Sequence, residues 1–343
     1  MNGGRAGQLP AQSRTVTATL NIQPRSARLR DTASFWSYTA GWTAVRRLPE
    51  PAARRLFDRI AEHTWSRRGR GVRQLEVNLS MVDPSLRGAD LAEASREGLR
   101  RYLRYWCEMF RMPDWSRTDI VDRFVCERED RITASLNQGR GAIIATAHMG
   151  NYDHVAAWAA ATGRPLTTVA ERVKPERLYQ SFVSKRTAMG IGIHPTGTPQ
   201  VADLLAAEIR NQRRIVALMC DRDMSAHGVP VTFFGEPTTL PGGPARLALR
   251  TGAPLHTAPG WHTGTRTVIR IDDVIALPDW APVGEDAPRR ERYDEAVALL
   301  TQTIADRLAA GIADHPHDWH MLAPVWPGRR VDAARPARTG QAV

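Results

Sequence analysis

Residues 142–158 read AIIATAHMGNYDHVAAW, and the change of hydrophobic pattern inside this stretch decides the fold class. The first six residues form a largely apolar run that is typical of a buried strand, and a helical pattern begins at about Asn151. His148 lies between the two patterns, at the carboxyl edge of the predicted strand. Because open α/β sheets bind their ligands at that edge, the stretch predicts a functional site there.

The same strand-to-helix rhythm continues along the chain. Strand-like runs occur at PLTTVAE (165–171), GIGIHP (190–195), RIVALMC (214–220), VPVTFFG (229–235), PLHTAPGW (254–261) and TRTVIRIDDVIAL (265–277). Helical patterns occur at Asn151–Thr162, Pro175–Met189, Gln200–Gln212, Gly243–Thr251 and Arg290–Gly311. This alternation predicts an α/β fold in which helices flank a mostly parallel or mixed central sheet.

The chain before this region has helical patterns only, so residues 34–135 are predicted to be an all-helical segment. Its patterns are two amphipathic helices divided by Pro49 and Pro51, followed by Gly71–Val82, Asp90–Met112 and Thr118–Asp130. We therefore expect one domain over residues 34–327, with a helical part at 34–135 and an α/β part at 136–327. Residues 1–33 are expected to be a disordered basic arm and residues 328–343 a loose basic tail, because arginine is frequent there and large apolar side chains are few.

The charge balance of the 343-residue chain predicts an anionic partner. Lysine and arginine total 47 against 36 acidic residues, a net charge of +11, and every basic residue except Lys174 and Lys185 is arginine. Nucleic acid, an anionic membrane surface or a phosphorylated ligand would each fit. No apolar run reaches the ~18 residues of a spanning helix, and the N-terminus lacks the apolar region of a secretion signal. The three cysteines form no CxxC pair, which favours a reducing compartment such as the cytoplasm.

His148 and Asp153 are the candidate catalytic residues. We expect a strand, a short turn and a first helical turn to fold the Asp153 carboxylate back onto the imidazole, giving a His/Asp dyad. The carboxylate would fix the ring's tautomer while His148 removes a proton from a hydroxyl. The sequence has no GxSxG nucleophile motif. The base is therefore expected to act on a hydroxyl of the substrate.

HMGNYD matches the HX4D signature of glycerolipid acyltransferases, and three later blocks extend the resemblance. These blocks are VAERVKPERLYQSF, CDRDMSAHGVPVTFFGEPTTLPGGPARLA and HPHDWHML. Together they resemble the actinobacterial phosphatidylinositol mannoside acyltransferases of the bacterial lipid A lauroyl/myristoyl acyltransferase superfamily, from about Phe35 to about Trp326. The resemblance implies transfer of a long fatty acyl chain from acyl-CoA to a mannose hydroxyl of a mannosylated phosphatidylinositol. It also implies a peripheral enzyme on the cytoplasmic face of the cell membrane.

The resemblance also implies roles for individual residues. His148 would be the base and Asp153 its orienting carboxylate, and Arg186 would bind a lipid head group. The polar residues expected around the acceptor are Glu171, Arg172, Asp221, Arg222, Asp223 and Glu236. No metal or other cofactor is expected.

Other interpretations remain open at this point. The acceptor could be another glycolipid or a lysophospholipid, and the acidic residues near the strand ends could form ordinary ion pairs. Trp36, Tyr38 and Trp42 suit either a core or a membrane interface. Nucleic-acid binding is disfavoured, because no helix-turn-helix, RNP, zinc-finger or P-loop signature is present. A metal on His315, His317 and His320 is disfavoured because no carboxylate spacing supports it.

Overall fold

Helices make up the first part of the computed structural model, which describes residues 40–225, 227–281 and 290–331. They are residues 40–47, α1 (Glu50–Ser66), α2 (Arg70–Val82), α3 (Gly88–Arg111), a 3₁₀ turn (Met112–Asp114) and α4 (Arg117–Asp122). The predicted arm at residues 1–33, the aromatic residues Trp36 and Tyr38, and the tail from residue 332 onward lie outside the described residues.

Strands and helices alternate in the remainder of the described chain. The strands are β1 (Phe124–Glu127), β2 (Ala142–Thr146), β3 (Leu166–Ala170), β4 (Gly192–Pro195), β5 (Ile215–Met219), β6 (Val229–Phe233), β7 (Glu236–Leu240), β8 (Leu255–Thr257), β9 (Gly260–Thr263) and β10 (Arg266–Arg270). The helices are α5 (Glu129–Asn137), α6 (Tyr152–Ala161), α7 (Glu176–Ala188), α8 (Val201–Gln212), α9 (Gly243–Thr251) and α10 (Arg290–Asp314), with 3₁₀ turns at Pro316–Asp318 and Pro327–Arg329.

The main sheet has five parallel strands in the order β4-β3-β5-β2-β8. Helices connect them, as parallel strands require. β1, β10 and β9 form a second, mixed sheet, and β6 and β7 form a hairpin. The predicted α/β class, with a mostly parallel central sheet flanked by helices, is confirmed.

Strand β2 is central to the core because all five of its residues are buried. On one face Ile143 and Ala145 pack in a cluster with residues of α8, α9 and α10. On the other face Ile144 packs in a cluster that includes Trp158 of α6. The continuous apolar run in the sequence thus reflects a strand that is covered on both sides.

The helix predicted over Thr118–Asp130 is wrong. Helix α4 ends at Asp122, and β1 then pairs in parallel with β10, for example Val125 with Val268. Arg128 adopts a left-handed φ of 56° before α5 begins. The local pattern was helix-compatible, but hydrogen bonds from a strand more than a hundred residues further along the chain decided the conformation.

The hairpin of β6 and β7 follows the Asp221 region, and β7 was not predicted from the sequence. Its turn places Phe234 at φ 50° and Gly235 at φ 76°. Positive φ at both central residues is the geometry of a type I′ turn, which matches the twist of a hairpin. The EPTTL segment therefore reads as a loop locally and forms a strand only beside β6.

Helix α10 is long and apolar enough, by length and composition, to cross a membrane. However, half of its most apolar 18-residue stretch is buried inside the protein. Leu300, Ile304 and Leu308 of this helix lie in the core beside the sheet. A core helix passes the same composition test. The helix is accounted for by packing within the protein.

The chain after α10 returns across α2 and is held there by two buried amides. The Asn78 side-chain amide donates to the carbonyls of Met321 and Ala323 at 2.7 and 2.9 Å. The Gln74 amide donates to the carbonyl of Arg329 at 3.1 Å. The same segment meets the chain after β2, where Met149 bridges to Trp319 and the His320 N–H donates to the carbonyl of His148 at 2.8 Å.

Candidate active site

Two neighbouring strands bring a histidine and an aspartate together. Thr146, at the end of β2, lies opposite Met219, at the end of β5, so two residues further on His148 and Asp221 stand side by side. His148 Nδ1 lies 2.7 Å from Asp221 Oδ1, and the backbone N–H of His148 donates to Oδ2 at 2.9 Å. The Trp319 indole N–H donates to the same Oδ2 at 2.8 Å. Asp221 is fully buried, whereas 38% of the His148 side chain is exposed, which leaves Nε2 as the ring nitrogen available to a substrate.

The expected contact between Asp153 and the His148 ring is wrong. Arg186 donates from Nε and Nη2 to the two Asp153 oxygens at 2.6 and 2.8 Å, and the Tyr105 hydroxyl donates at 2.8 Å. Asp153 sits in the first turn of α6 and points toward α3 and α7. Arg186, predicted to bind a head group, instead neutralises this buried carboxylate, although both residues still line the cavity described below.

Replacing Asp153 with asparagine is expected to destabilise the protein. The change leaves Arg186 charged and only 20% exposed without its partner, and breaking such a pair typically costs about 3 to 5 kcal/mol. Urea unfolding followed by circular dichroism measures the free energy of unfolding. Glu176→Gln, which breaks an exposed pair with Arg172, is the matched control and should unfold like the parent protein. Equal stabilities of the two variants would contradict the structural role of the Asp153–Arg186 pair.

The loop between His148 and α6 depends on Gly150. Its φ is 56°, and a β-carbon there would lie 2.8 Å from the backbone nitrogen of Trp261. The Gly150 N–H donates to the carbonyl of Asp318 at 3.0 Å. Asn151 caps α6 by accepting from the His154 N–H at 3.0 Å, and its own amide donates to Glu108 at 2.9 Å. These contacts fix the turn that follows the imidazole.

The electrostatics of the pair favour a basic imidazole. Burial by itself would lower the pKa of His148, but the adjacent Asp221 carboxylate and its hydrogen bond raise that pKa above its ordinary value. Burial would raise the pKa of Asp221, yet His148, its backbone N–H and the Trp319 indole outweigh burial and lower it. The carboxylate therefore stays ionised and supports a proton on Nδ1 of His148.

A cavity of about 380 Å³ opens beside His148. It lies between one face of the parallel sheet and helices α6 and α7. Most of its lining is apolar, and the residues deepest along the strands are Ile144, Leu166, Ile191, Ile193 and Ala217. A cavity of this size and composition suits an apolar ligand.

Three of the predicted site residues follow β3 in the sequence, and they occupy different positions relative to the cavity. Glu171 is exposed and lines the cavity at its mouth. Arg172 instead turns to Glu176, with contacts of 2.7 and 2.9 Å, and is 59% exposed. Arg186 lies on α7, against Asp153. Of these residues, Glu171 has the side chain best placed to meet a substrate at the mouth.

The residues predicted to lie around Asp221 also differ in their positions relative to His148 and the cavity. Arg222 lies close enough to oppose the charge of protonated His148. Asp223 accepts from the N–H groups of Ser225 and Gly228 at 2.8 and 2.9 Å and thereby shapes the loop. Glu236 pairs with Arg329 at 2.7 Å and is absent from the cavity lining. The predicted wall role of Glu236 is therefore not supported by the geometry.

Sequence reasoning missed two residues of this site. Neither Trp319 nor Tyr105 was singled out from the sequence, yet each donates a hydrogen bond to a site carboxylate. The HPHDWHML block pointed to the region of Trp319. No local pattern showed that its indole would meet a residue 98 positions earlier.

Trp319→Phe should lower kcat/KM by about 10- to 100-fold, because a hydrogen bond to a charged group contributes about 1.5 to 3 kcal/mol. Without the indole N–H the Asp221 carboxylate is less stabilised and attracts a proton on His148 more strongly. The pKa of His148 then rises, and the ascending limb of the pH–rate profile moves to higher pH. Phenylalanine keeps most of the packing. If the variant is less stable but the ascending limb of its pH–rate profile does not move, Trp319 contributes only to packing.

Among residues 40–225, 227–281 and 290–331, no group of three or more His, Cys, Asp or Glu side chains is arranged to hold a metal ion. His320 is buried, with Nε2 against the carbonyl of Gly150 at 2.8 Å. Burial lowers its pKa to about 4. The neutral His320 ring thus links the chain after α10 to the loop after His148 through its contact with the Gly150 carbonyl.

The site has an imidazole held by a buried carboxylate at a strand end, an adjoining apolar cavity, and no GxSxG serine. A histidine held in this way can accept a proton from a hydroxyl group.

Comparisons with known proteins identify the family. A family model described as bacterial lipid A biosynthesis acyltransferase matches residues 22–327, so the chain belongs to that family and is an O-acyltransferase. A relative from Mycobacterium tuberculosis, named phosphatidylinositol mannoside acyltransferase, is 40% identical over 311 residues, which cover 88% of this chain and 91% of the relative. A relative of the same name from Mycolicibacterium smegmatis is 38% identical over 307 residues, covering 88% and 94%. The resemblance seen in the sequence is confirmed.

Proposed function

We propose that this acyltransferase moves a long-chain fatty acyl group from acyl-CoA to a mannose hydroxyl of a mannosylated phosphatidylinositol, with His148 as general base. The observation that carries the proposal is the His148–Asp221 pair at the mouth of the 380 Å³ apolar cavity. The cavity would hold the acyl chain and leave the thioester beside the exposed ring nitrogen.

In this mechanism His148 Nε2 takes the proton of the acceptor hydroxyl as its oxygen attacks the thioester carbonyl. The new ester C–O bond forms and the C–S bond breaks. The imidazolium then returns the proton to the departing thiolate of CoA. Asp221, held by Trp319, stabilises the imidazolium through Nδ1 and keeps Nε2 free to accept a proton. No acyl group is attached to the protein at any step.

The acceptor is inferred from the names of the two relatives and from the polar mouth of the cavity. Glu171 is exposed there, and its carboxylate can accept hydrogen bonds from sugar hydroxyls. A mannosylated phosphatidylinositol also carries a phosphate, which suits the net charge of +11. No metal or other cofactor has a part in this reaction.

The test is incubation of the purified protein with palmitoyl-CoA and a panel of acceptors, followed by mass spectrometry of the products. The panel contains a mannosylated phosphatidylinositol, its unmannosylated parent, lysophosphatidic acid and an unrelated glycolipid. We expect acylation of the mannosylated lipid, with ternary-complex kinetics. Equal activity with lysophosphatidic acid would reject the acceptor, and an acylated protein on the reaction path would reject direct transfer.

We further propose peripheral binding to an anionic membrane, on the cytoplasmic face, where three free thiols would stay reduced. Trp42, which the sequence left between core and interface, is 5% exposed and packs on Phe110 and Phe182. The exposed apolar side chains in this part are instead Leu56 and Ile60, at 39% and 40%, beside an apolar groove. Arg55 and Arg59, next to them along α1, and Arg46 and Arg47 of the preceding helix are exposed as well.

Leu56→Asp with Ile60→Asp should therefore weaken binding to anionic liposomes, since the change removes apolar contact and adds negative charge. Co-sedimentation with vesicles of mixed phosphatidylglycerol and phosphatidylcholine measures the bound fraction. Leu204→Asp with Leu299→Asp, at 42% and 49% exposure, is the matched control and should bind normally. If both double variants lose liposome binding equally, the loss is a non-specific charge effect, and the surface around Leu56 and Ile60 is rejected as the membrane-binding face.

A further inference from the structure

His262 of β9 lies between two carboxylates, and its side chain is fully buried. Its Nδ1 lies 2.8 Å from Asp318 Oδ1, and its Nε2 lies 3.3 Å from Glu108 Oε2. Carboxylates only accept hydrogen bonds, whereas a neutral imidazole has a single N–H. A neutral ring would therefore turn a nitrogen lone pair toward one of the carboxylates. Both contacts are hydrogen bonds only when the ring is a doubly protonated imidazolium.

Arginines contact the two carboxylates from the other side. The charged and titratable groups around the ring are Arg54 of α1, Arg101, Arg104 and Glu108 of α3, His154 of α6, and Asp318 and His320 after α10. Arg104 donates to Glu108 Oε1 at 2.8 Å. Arg101 Nη1 lies 3.8 Å from Asp318 Oδ2. These arginines thus contact the carboxylate oxygens that His262 does not.

The electrostatics agree with a charged ring. Burial would raise the pKa of Glu108 and of Asp318, but His262 and the arginines outweigh burial and lower both pKa values. Burial would lower the pKa of His262, and its hydrogen bonds to the two carboxylates raise that pKa instead. Burial lowers the pKa of His154 and of His320 to about 4. His262 is therefore the charged histidine among these three.

Glu108 connects His262 to the loop after His148. The Oε2 atom that faces His262 also accepts from the side-chain amide of Asn151 at 2.9 Å. Asn151 in turn caps α6. The position of Glu108 thus sets the position of the chain that leaves the catalytic imidazole.

Asp318 connects His262 to the orienting carboxylate. Its Oδ1 also accepts from the backbone N–H of His262 at 3.1 Å, and its carbonyl accepts from the Gly150 N–H at 3.0 Å. Trp319, the next residue, donates its indole N–H to Asp221 at 2.8 Å. A shift of this turn would therefore weaken the hydrogen bond from the indole to Asp221.

We propose that His262 is a positioning residue for acyl transfer: as an imidazolium it joins α3 to the turn at Asp318 and so holds both members of the His148–Asp221 pair in place. The ring is buried and acts through Glu108 and Asp318. The proposal rests on the proposed function in taking His148 as the reacting base. The charge of His262, however, depends on no substrate.

His262→Gln should lower kcat by about 10- to 100-fold, since a small misplacement of catalytic groups has an effect of this size, with less change in the KM for acyl-CoA. The amide carries no charge, so the turn before Trp319 is held less firmly and the indole stabilises Asp221 less. The pKa of His148 then rises, and the ascending limb of the pH–rate profile moves to higher pH. In the double variant with Trp319→Phe, the shift of the limb should be smaller than the sum of the two single shifts, because both changes act through the indole.

His256→Gln is the matched control. His256 is a buried strand histidine whose ring nitrogens contact the Ser135 hydroxyl and the carbonyl of Asp272, and neither contact reaches the loop after His148. The variant should leave the ascending limb in place even where it lowers stability. An equal shift of the limb in His256→Gln would overturn the proposal, and so would a folded His262→Gln protein with the parent kcat and the parent limb.

A second measurement reads the charge of His262 in the parent protein without any substrate. Heteronuclear NMR of isotope-labelled histidine distinguishes an imidazolium from a neutral ring, and the His262 signals are those that His262→Gln lacks. We expect an imidazolium from about pH 6 to about pH 8, although an ordinary histidine loses its proton near 6.5. A neutral His262 ring at about pH 7 would overturn this proposal. Failure of the proposed function would instead appear as the absence of acylated product with every acyl-CoA, so the two failures are distinguishable.

Discussion

His148→Ala is expected to lower kcat for acyl transfer by about 10³-fold or more while leaving the fold intact. The imidazole lies at a strand end with 38% of its side chain exposed, so its loss removes the base and little packing. Initial rates with palmitoyl-CoA and the acylated acceptor measure the effect, and circular dichroism checks the fold. Added imidazole should restore part of the rate, because the vacated position opens to the cavity mouth.

His227→Ala is the matched control for this change. His227 is an exposed histidine in the loop that Asp223 shapes, and within the described chain its backbone N–H, rather than its ring, makes the contact to Ser225. The variant should keep the parent rate. A His148→Ala protein with a parent-like rate, or one that imidazole cannot rescue although it is folded and binds both substrates, would count against a general base at this position.

Asp221→Asn should cost about 10² to 10⁴ in kcat, nearly as much as the loss of His148. An amide is nearly isosteric with the carboxylate, but it can fix the wrong tautomer of the ring and cannot stabilise the imidazolium. The pH–rate profile gives a second readout. Only neutral His148 accepts a proton, so the parent rate should rise with pH through a pKa above about 6.5.

In Asp221→Asn there is no carboxylate beside His148 to raise its pKa. The ascending limb should therefore move to lower pH, with a much lower plateau. Asp223→Asn is the matched control two residues away, because Asp223 holds the loop and does not touch the ring. A larger rate loss in Asp223→Asn than in Asp221→Asn would reverse the assignment of the orienting carboxylate.

The sequence was sufficient for the α/β class and for the strand-to-helix unit around His148, because both follow from local hydrophobic periods. It also brought Asp221 into the predicted site, through the resemblance of its block and its place after a strand. The sequence did not predict the strands β1 and β7. In each case the backbone conformation depends on a hydrogen-bonding partner strand, and a local period does not identify that partner.

The sequence by itself determined which residues reach the carboxyl edge of the sheet, since strand ends are local features. Only the tertiary structure decided which of the edge residues meet. Asp153 is five positions from His148 but turns away with α6, whereas Asp221 is 73 positions away and arrives beside the ring through the β2–β5 register. Trp319 reaches the same carboxylate because α2 fixes the returning chain. Contacts of this kind depend on strand order and register, which are set by packing between distant segments and not by spacing along the chain.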